Sequence, residues 1–305
     1  MISVLILTKN EEQDLHACLK SVRWSDDIHV FDSYSTDRTL EIARAVGAHI
    51  TQREFDNWSS HHNWGLANIP FRHPWVFYLD ADERVSPELA ANIQRAARDP
   101  GDSVAFRIRR RDFWGDRWLR HVQASSYYLR LFRPEKIRYE RLVNPVSIPD
   151  GPVGEVAGYL DHYPFSKGMI HWLNRHNSYS SFEAQQIVKN HATKQPLNLS
   201  QALFGKDVNQ RRVHQKELFY RMPARPLLKF LMLYIGKRGF LDGRKGFDYA
   251  ILQSFYEFMI VLKTRELIRN LAGFGSAGIL SESPSHAGVS RGTLEDFHAN
   301  PGSND

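Results

Sequence analysis

Hydrophobic positions along the first hundred residues recur with two periods. Short apolar runs of four to six residues, ISVLIL, IHVF, AHIT and WVFYL, alternate with stretches in which apolar side chains return every three or four positions. The runs predict buried strands, and the intervening stretches predict helices from about Glu11 to Val22, Asp37 to Val46 and Trp58 to Ala67. After WVFYL comes SPELAANIQRAA, in which Ser86 is placed to cap a helix and Pro87 to occupy its first position. Strands separated by helices of this length predict βαβ units and a mainly parallel sheet. The spacing Leu15, Cys18, Leu19, Val22 puts the single cysteine in a helical core stripe.

From Ser103 to Val146 the pattern becomes strand upon strand, VAFRIRR, SYYLRLFR and LVNPVSI, which predicts a mixed or antiparallel extension of the sheet. Beyond His162 the chain reads as helical and aromatic. From about Ala272 it turns into GFGSAGILSESPSHAG, a composition expected to be disordered. The expected organisation is therefore a sheet domain over 1–162, a helical region over 163–272 and a tail over 273–305. Two apolar stretches, PLLKFLMLYIG and FDYAILQSFYEFMIVLK, are too short or too interrupted, by Asp248, Gln253 and Glu257, to cross a bilayer. With Lys229, Lys237, Arg238, Arg244, Lys245, Lys263 and Arg265 nearby, they suit helices lying on an anionic membrane surface or packing on the sheet.

Charge sharpens this division. The net charge of the 305 residues is +6, but Lys167 to Leu271 holds 18 Lys and Arg against 7 Asp and Glu, leaving 22 against 27 elsewhere. A basic back half implies an anionic partner. Arg211, Arg212, Lys216, Arg221 and Arg225, interleaved with Phe219 and Tyr220, are expected to steer a phosphorylated lipid or saccharide. The Arg-rich FRIRRRDFWGDRWLR raises nucleic acid as a partner, but no helix-turn-helix, zinc or RNA-recognition signature accompanies it, and its alternation suits a strand with one wet face. No nucleic-acid partner is expected. One cysteine rules out an internal disulfide, and no basic leader precedes the first strand, so a reducing, cytoplasmic location is expected.

The chemistry concentrates at strand ends. Asp32 closes the second strand and Asp80 the fourth, and in open α/β sheets ligands bind where the carboxyl ends of strands converge. Asp80 and Asp82, two residues apart on backbone leaving the sheet, suit a hard divalent cation, Mg2+ or Mn2+, together with nucleotide oxygens. Thr8-Lys9-Asn10-Glu11 follows the first strand in place of a G-x-G-x-x-G loop, and no P-loop motif is present, which excludes the usual dinucleotide and ATPase signatures. Ser33, Ser35, Thr36 and Asp37 add small donors and acceptors after Asp32.

The ordered set ISVLILTKNEEQDLHACLKSV, VFDSYSTDRTLEIARAVGA, HHNWGLA and WVFYLDADERVSPEL resembles the family 2 glycosyltransferases. More narrowly, LRLFRP, the His162-Tyr163 pair and GFLDGRKGFDYA are similar to enzymes of lipopolysaccharide-core and surface-polysaccharide synthesis. The resemblance implies a GT-A fold, a Rossmann-like, mostly parallel α/β sheet with a mixed extension, followed by a helical region. It implies contacts from Thr8, Asn10, Glu11 and Asp32 to the nucleotide of a nucleotide diphosphate sugar, with Asn63 near its diphosphate or base. Asp80 is implied at the ribose and Asp82 at the metal, with Asp80 and His162 as further candidate ligands and Glu83 as support. The implied reaction is metal-dependent transfer of the sugar, with inversion, to a lipid-linked or lipopolysaccharide acceptor by a peripheral enzyme on the inner face of the cell membrane.

Relatives carry a His-Glu pair after a segment like LFRPEKIRYERLV, where this chain has Asn144-Pro145. The proton acceptor is therefore sought among Glu140, Glu155 and Asp161, with Asp161 favoured for its place beside His162. Two rivals keep the same carboxylates. A phosphotransferase or phosphatase would use Asp80 as nucleophile, though Arg84 stands where a threonine commonly follows its second aspartate. An inactive scaffold would explain the missing His-Glu pair.

Overall fold

The structure is a computed structural model that describes residues 2–123, 125–140, 146–192, 200, 218–220 and 222–275. Two compact units divide between Met169 and Ile170, seven residues beyond the expected boundary at 162.

In the first unit, β1 (Ile2–Thr8), β2 (Ile28–Asp32), β3 (His49–Gln52) and β4 (Trp75–Asp80) pair in parallel in the order β3-β2-β1-β4. Helices α1 (Leu15–Ser21), α2 (Thr39–Ala45) and α3 (Trp58–Asn68) connect them. The first two are shorter than predicted, because polar side chains take over their first turns. Thr39 Oγ1 accepts the Glu11 backbone N–H, and Asn10 takes a φ of 55°, so the chain turns through residues 12–14 before α1 begins. After the short β5 (Glu83–Arg84), α4 (Pro87–Arg98) starts as the sequence implies, with Ser86 Oγ accepting the Leu89 N–H at 3.1 Å.

The predicted mixed extension consists of β6 (Ala105–Trp114), β7 (Arg117–Trp118), β8 (Tyr127–Phe132), the separate hairpin strands β9 (Ile137–Glu140) and β10 (Val146–Pro149), and β11 (Val153–His162). Strand β8 joins β4 and β6 antiparallel, and β11 runs parallel to β6. At its far end β11 pairs with β5, placing His162 opposite Glu83 and Asp161 opposite Arg84. The sheet is buried on both faces, as near-continuous apolar strands require. Leu15, Cys18, Leu19, Leu89 and Ile93 cover one face, and Trp58, Phe31, Tyr78, Phe132 and Tyr139 pack on the other.

The second unit contains α5 (Gly168–Ala192), which begins at the boundary, α6 (Arg225–Leu231) and α7 (Gly243–Gly275). The GFLDGRKG segment makes the corner between the last two. Gly243 has a φ of 67°, and a Cβ on Gly246 would lie 2.1 Å from the Gly239 carbonyl oxygen, a close approach that only glycine permits. Arg225 is buried against Glu257 and its guanidinium lies 4.9 Å from the Tyr220 ring centroid. This corrects its reading as a steering surface charge: it is a core cation whose place at the start of α6 points it into the helix pair. Arg211, Arg212, Lys216 and Arg221 lie outside the described residues, as does most of the tail, from 276 onward. Among the described residues no helix is long and apolar enough to cross a membrane.

Candidate functional site

Register assembles the site. Thr8 pairs with Asp32 and Leu7 with Asp80, so the carboxyl ends of β2, β1 and β4 finish side by side. The loops leaving them carry most of the residues singled out in the sequence.

Asp32 is fully buried and saturated. Thr8 Oγ1 donates to its Oδ1 at 3.0 Å, and the Ser35 hydroxyl donates to the same oxygen. Its Oδ2 accepts from the Ser35 N–H at 2.9 Å and from Gln52 Nε2 at 3.0 Å. Asn10 ties the same loop: its N–H donates to Ser35 Oγ and its Oδ1 accepts the Thr36 N–H, both at 2.8 Å. The two loops thus form one rigid wall. Beside it, Lys167 donates to the Asn10 carbonyl at 2.9 Å and to Glu11 Oε1 at 2.6 Å, while Glu11 Oε2 is buried without a hydrogen-bond partner. Burial, reinforced by Asp82 and Asp14 and opposed by Lys167, pushes the Glu11 carboxyl up to about 8.

Below the Asp80-Ala81-Asp82-Glu83 turn lies a chain of alternating charge. Arg130 donates to Asp80 Oδ2 at 2.8 Å and to Glu83 Oε1 at 2.6 Å, and the Tyr78 hydroxyl donates to the other Asp80 oxygen. Glu83 Oε2 accepts the Asp80 N–H at 3.0 Å and so closes the turn. Arg110 continues the chain, 3.9 Å from Glu83 and 3.1 Å from Asp112, and Asp112 bonds His162 Nδ1. The other imidazole nitrogen, Nε2, stands 3.3 Å from Asp82 Oδ2, and the Tyr163 N–H donates to the Asp82 carbonyl at 2.9 Å. Burial and Arg110 work against a charged His162, but Asp82 and Asp112 prevail and raise it to about 9. Burial, with Asp80 beside it, raises Glu83 to about 7 against the pull of Arg130, Arg110 and His162.

The structure therefore brings Thr8, Asn10, Glu11, Asp32, Asp80, Asp82, Glu83 and His162 to one end of the sheet. It does not bring Asn63 or the three candidate bases to Asp82. Asn63 is engaged with Tyr139, donating from Nδ2 to its carbonyl at 2.9 Å and accepting its N–H at 2.8 Å, and so ties α3 to β9. Glu140 pairs with Arg138 and Glu155 with Arg107, both on exposed strand surface. Asp161 is held by Arg111 through both its oxygens. Neighbouring residues on a strand point to opposite faces, so His162 turns to Asp82 while Asp161 turns away. Asn144-Pro145 lies outside the described residues.

Sequence reasoning missed Arg130, Arg110, Asp112, Tyr78 and Lys167. A signal for three of them was present: the alternation Phe106, Ile108 continued two steps further puts Arg110 and Asp112 on the buried face. Arg130 shares the parity of Phe132 in β8.

With this geometry established, the sequence profile described as Glycosyl transferase family 2 matches residues 3–156. The chain belongs to the family 2 glycosyltransferases. Its mostly parallel sheet with mixed extension is the GT-A arrangement, and a C-terminal helical region follows it in the chain. This glycosyltransferase is 25% identical over 280 residues to a glycosyltransferase of Rickettsia typhi (strain ATCC VR-144 / Wilmington), covering 87% of each chain. It is also 25% identical over 272 residues, 86% of this chain and 91% of the other, to the lipopolysaccharide core biosynthesis glycosyltransferase LpsC of Rhizobium meliloti (strain 1021). Among solved structures, S. aureus TarS 1-349 aligns with 84% of this chain and 91% of its own at 13% identity and a TM-score of 0.38.

Helix α3 backs the site with two imidazoles. His61 stacks on Phe31 with centroids 4.1 Å apart, and His62 Nδ1 donates to the Trp58 carbonyl at 2.7 Å. Burial, then His62 and Arg53, push His61 down to about 3, and burial pushes His62 down to about 4. Because these values lie below the ordinary one, the unfolded chain binds protons first as pH falls. Stability is accordingly lost below about pH 6.5, by at most about 1.4 kcal/mol per pH unit for each histidine, until the folded values are reached. Urea unfolding followed from pH 7 to pH 5 should therefore show a shallower decline in His61→Phe than in the parent; identical slopes would contradict a neutral His61.

Proposed function

We propose that the protein is a metal-dependent, inverting glycosyltransferase that moves a sugar from a nucleotide diphosphate donor to a lipid-linked or lipopolysaccharide acceptor. The observation that carries this reading is the convergence at one sheet end of the β1 and β2 loops with Asp82 and His162. Inversion takes a single displacement at the anomeric carbon, with the acceptor hydroxyl entering opposite the departing diphosphate.

Among the described residues no group of three or more His, Cys, Asp or Glu is arranged to hold a metal by itself. A Mg2+ or Mn2+ ion that takes most of its oxygens from a diphosphate and water needs only one or two carboxylates, and Asp82, on the turn above the buried charges, supplies one. The ion, when bound, neutralises charge on the leaving diphosphate. The residues around it act by position. The Thr8–Asp32–Asn10 wall shapes the nucleoside side, Arg130 and Glu83 hold the turn, and His162, held by Asp112, stands beside Asp82. Asp80, locked by Arg130 and Tyr78, is a support and not the nucleophile of a phosphotransferase. The acceptor proton goes to a group other than Asp161, which Arg111 engages.

Transfer of radiolabelled sugar from a panel of nucleotide diphosphate sugars to lipopolysaccharide tests this. Asp82→Asn is expected to lower kcat/KM by roughly 100-fold or more with the fold intact. Asp161→Asn should keep kcat within roughly threefold, whereas loss of a general base costs at least about 100-fold. Full activity in Asp82→Asn, or collapse of kcat in Asp161→Asn, would count against the assignment.

The second unit supports placement on an anionic membrane face. Helix α7 buries polar Gln253, Glu257 and Thr264 beside Tyr249, Ala250 and Ile260, while Ile251, Phe255, Phe258 and Leu262 are exposed on a face roughly 150° away around the helix. Leu227, Leu231 and Ile235 form a second exposed row, with Leu227 57% and Ile235 59% accessible. Basic Lys229, Lys237, Arg238, Arg244, Lys245, Arg265 and Arg269 lie along the same segments, and such residues contribute about 1 kcal/mol each at an anionic surface. The protein should co-sediment with phosphatidylcholine vesicles containing phosphatidylglycerol and not with phosphatidylcholine alone. Replacing Ile235 and Phe255 by Glu should release it; unchanged co-sedimentation would sink the membrane placement.

A further inference from the structure

The arginine-rich strand β6 has an outward half that the reaction leaves without a task. Arg110 and Asp112 turn inward to the site, whereas Arg107, Arg109 and Arg111 alternate to the other face and meet aromatic rings. The guanidinium carbons of Arg107 and Arg109 lie 4.9 and 4.8 Å from the Tyr127 ring centroid. That of Arg111 lies 5.6 Å from both Trp118 and Tyr159, and these two rings are 5.4 Å apart. At one end Arg107 pairs with Glu155, and at the other Arg111 pairs with Asp161. Arg109, between them, is exposed and paired across the strands with Tyr159, with no carboxylate in ion-pair contact among the described residues.

Guanidinium groups fixed by ring contacts keep a rigid fork of N–H donors that matches phosphate and carboxylate oxygens. The exposed Tyr127 ring and the half-buried Trp118 and Tyr159 rings beside them offer flat apolar surface, suited to the C–H faces of sugars. The row is also directed. Strands β6 and β11 run parallel, and the last outward-facing pair, Arg111 with Asp161, immediately precedes the inward pair of Asp112 with His162, whose Nε2 is 3.3 Å from Asp82.

The geometry points to an acceptor subsite on this ladder for a saccharide bearing phosphate or carboxylate groups. Arg109 takes the anion, and Trp118 and Tyr159 take the neighbouring ring. The assignment rests on the transferase reading and specifies the acceptor it uses: an anionic saccharide and not a neutral one.

The test is NMR of the full chain, following the tryptophan indole and arginine side-chain signals during titration with phosphomannopentaose and with a hyaluronan hexasaccharide. Neutral mannopentaose and inorganic phosphate serve as controls. At least one anionic saccharide is expected to shift the Trp118 indole, with both controls weaker by roughly tenfold or more. Arg109→Gln, at an exposed position that leaves the fold intact, should weaken binding by a similar factor, and Arg109→Lys should restore only part of it. No shift with either anionic saccharide, equal binding by inorganic phosphate or mannopentaose, or unchanged affinity in Arg109→Gln overturns the subsite. Binding of nucleoside diphosphates, measured on the same samples, is expected to be untouched by Arg109→Gln. Nucleotide binding beside a silent ladder would remove the subsite and leave the transferase reading standing.

Discussion

Arg130 sits between the carboxylates of Asp80 and Glu83, only 1% exposed, and the architecture of the site hangs on that contact. Buried charge is tolerated only when paired and hydrogen-bonded, because the desolvation penalty of each ion amounts to several kcal/mol. Here the pairing extends from Asp80 through Arg130, Glu83, Arg110 and Asp112 to His162, so no carboxylate in the series lacks a cation. The consequence is positional. With Glu83 holding the Asp80 N–H from beneath, the turn has one conformation, and Asp82 is presented beside His162.

The same constraint explains why strands from distant parts of the chain must meet. Asp80 belongs to the parallel half of the sheet, Arg130 and Arg110 to the mixed extension, His162 to the last strand, and Glu83 to β5, which pairs antiparallel with that strand at the opposite edge. None of these groups is stable at its depth without the others. Closing the chain of charges therefore joins β4, β8, β6 and β11 at the end of the sheet that carries Asp82 and His162. Pairing of β11 with β5 is the backbone side of the same closure. The proposed binding elements and the supporting elements are in this sense one structure, and in that reading the site is preorganised before any donor arrives.

Much of this was legible in the sequence, and the failures have physical reasons. The βαβ order and the strand-end carboxylates follow from periodicity, the family resemblance from four ordered motifs, and the candidacy of His162 from that resemblance. Asn63, Asp161 and Arg225 were misplaced because sequence reports the residue type and not its partner. Asn63 is occupied by a strand 76 positions away, Asp161 by Arg111 across a parallel pair, and Arg225 by Glu257 within the helices. Arg130 went unseen because a charged residue in a strand reads as surface until its parity is followed inward. On α7 the reverse holds: Gln253 and Glu257 read as interruptions of an apolar helix but lie on its buried face, beside Ala250 and Ile260.

The central claim, that the buried charges preorganise a corner for a nucleotide diphosphate and a divalent cation, is tested most directly by thermal unfolding of the full chain with a panel of nucleoside diphosphates, with and without Mn2+. A ligand that binds only the folded state raises Tm, by an amount that grows with its concentration relative to Kd. The account predicts a rise for one nucleoside diphosphate that requires the metal. No rise with any member of the panel, or a rise of equal size without metal, would contradict it.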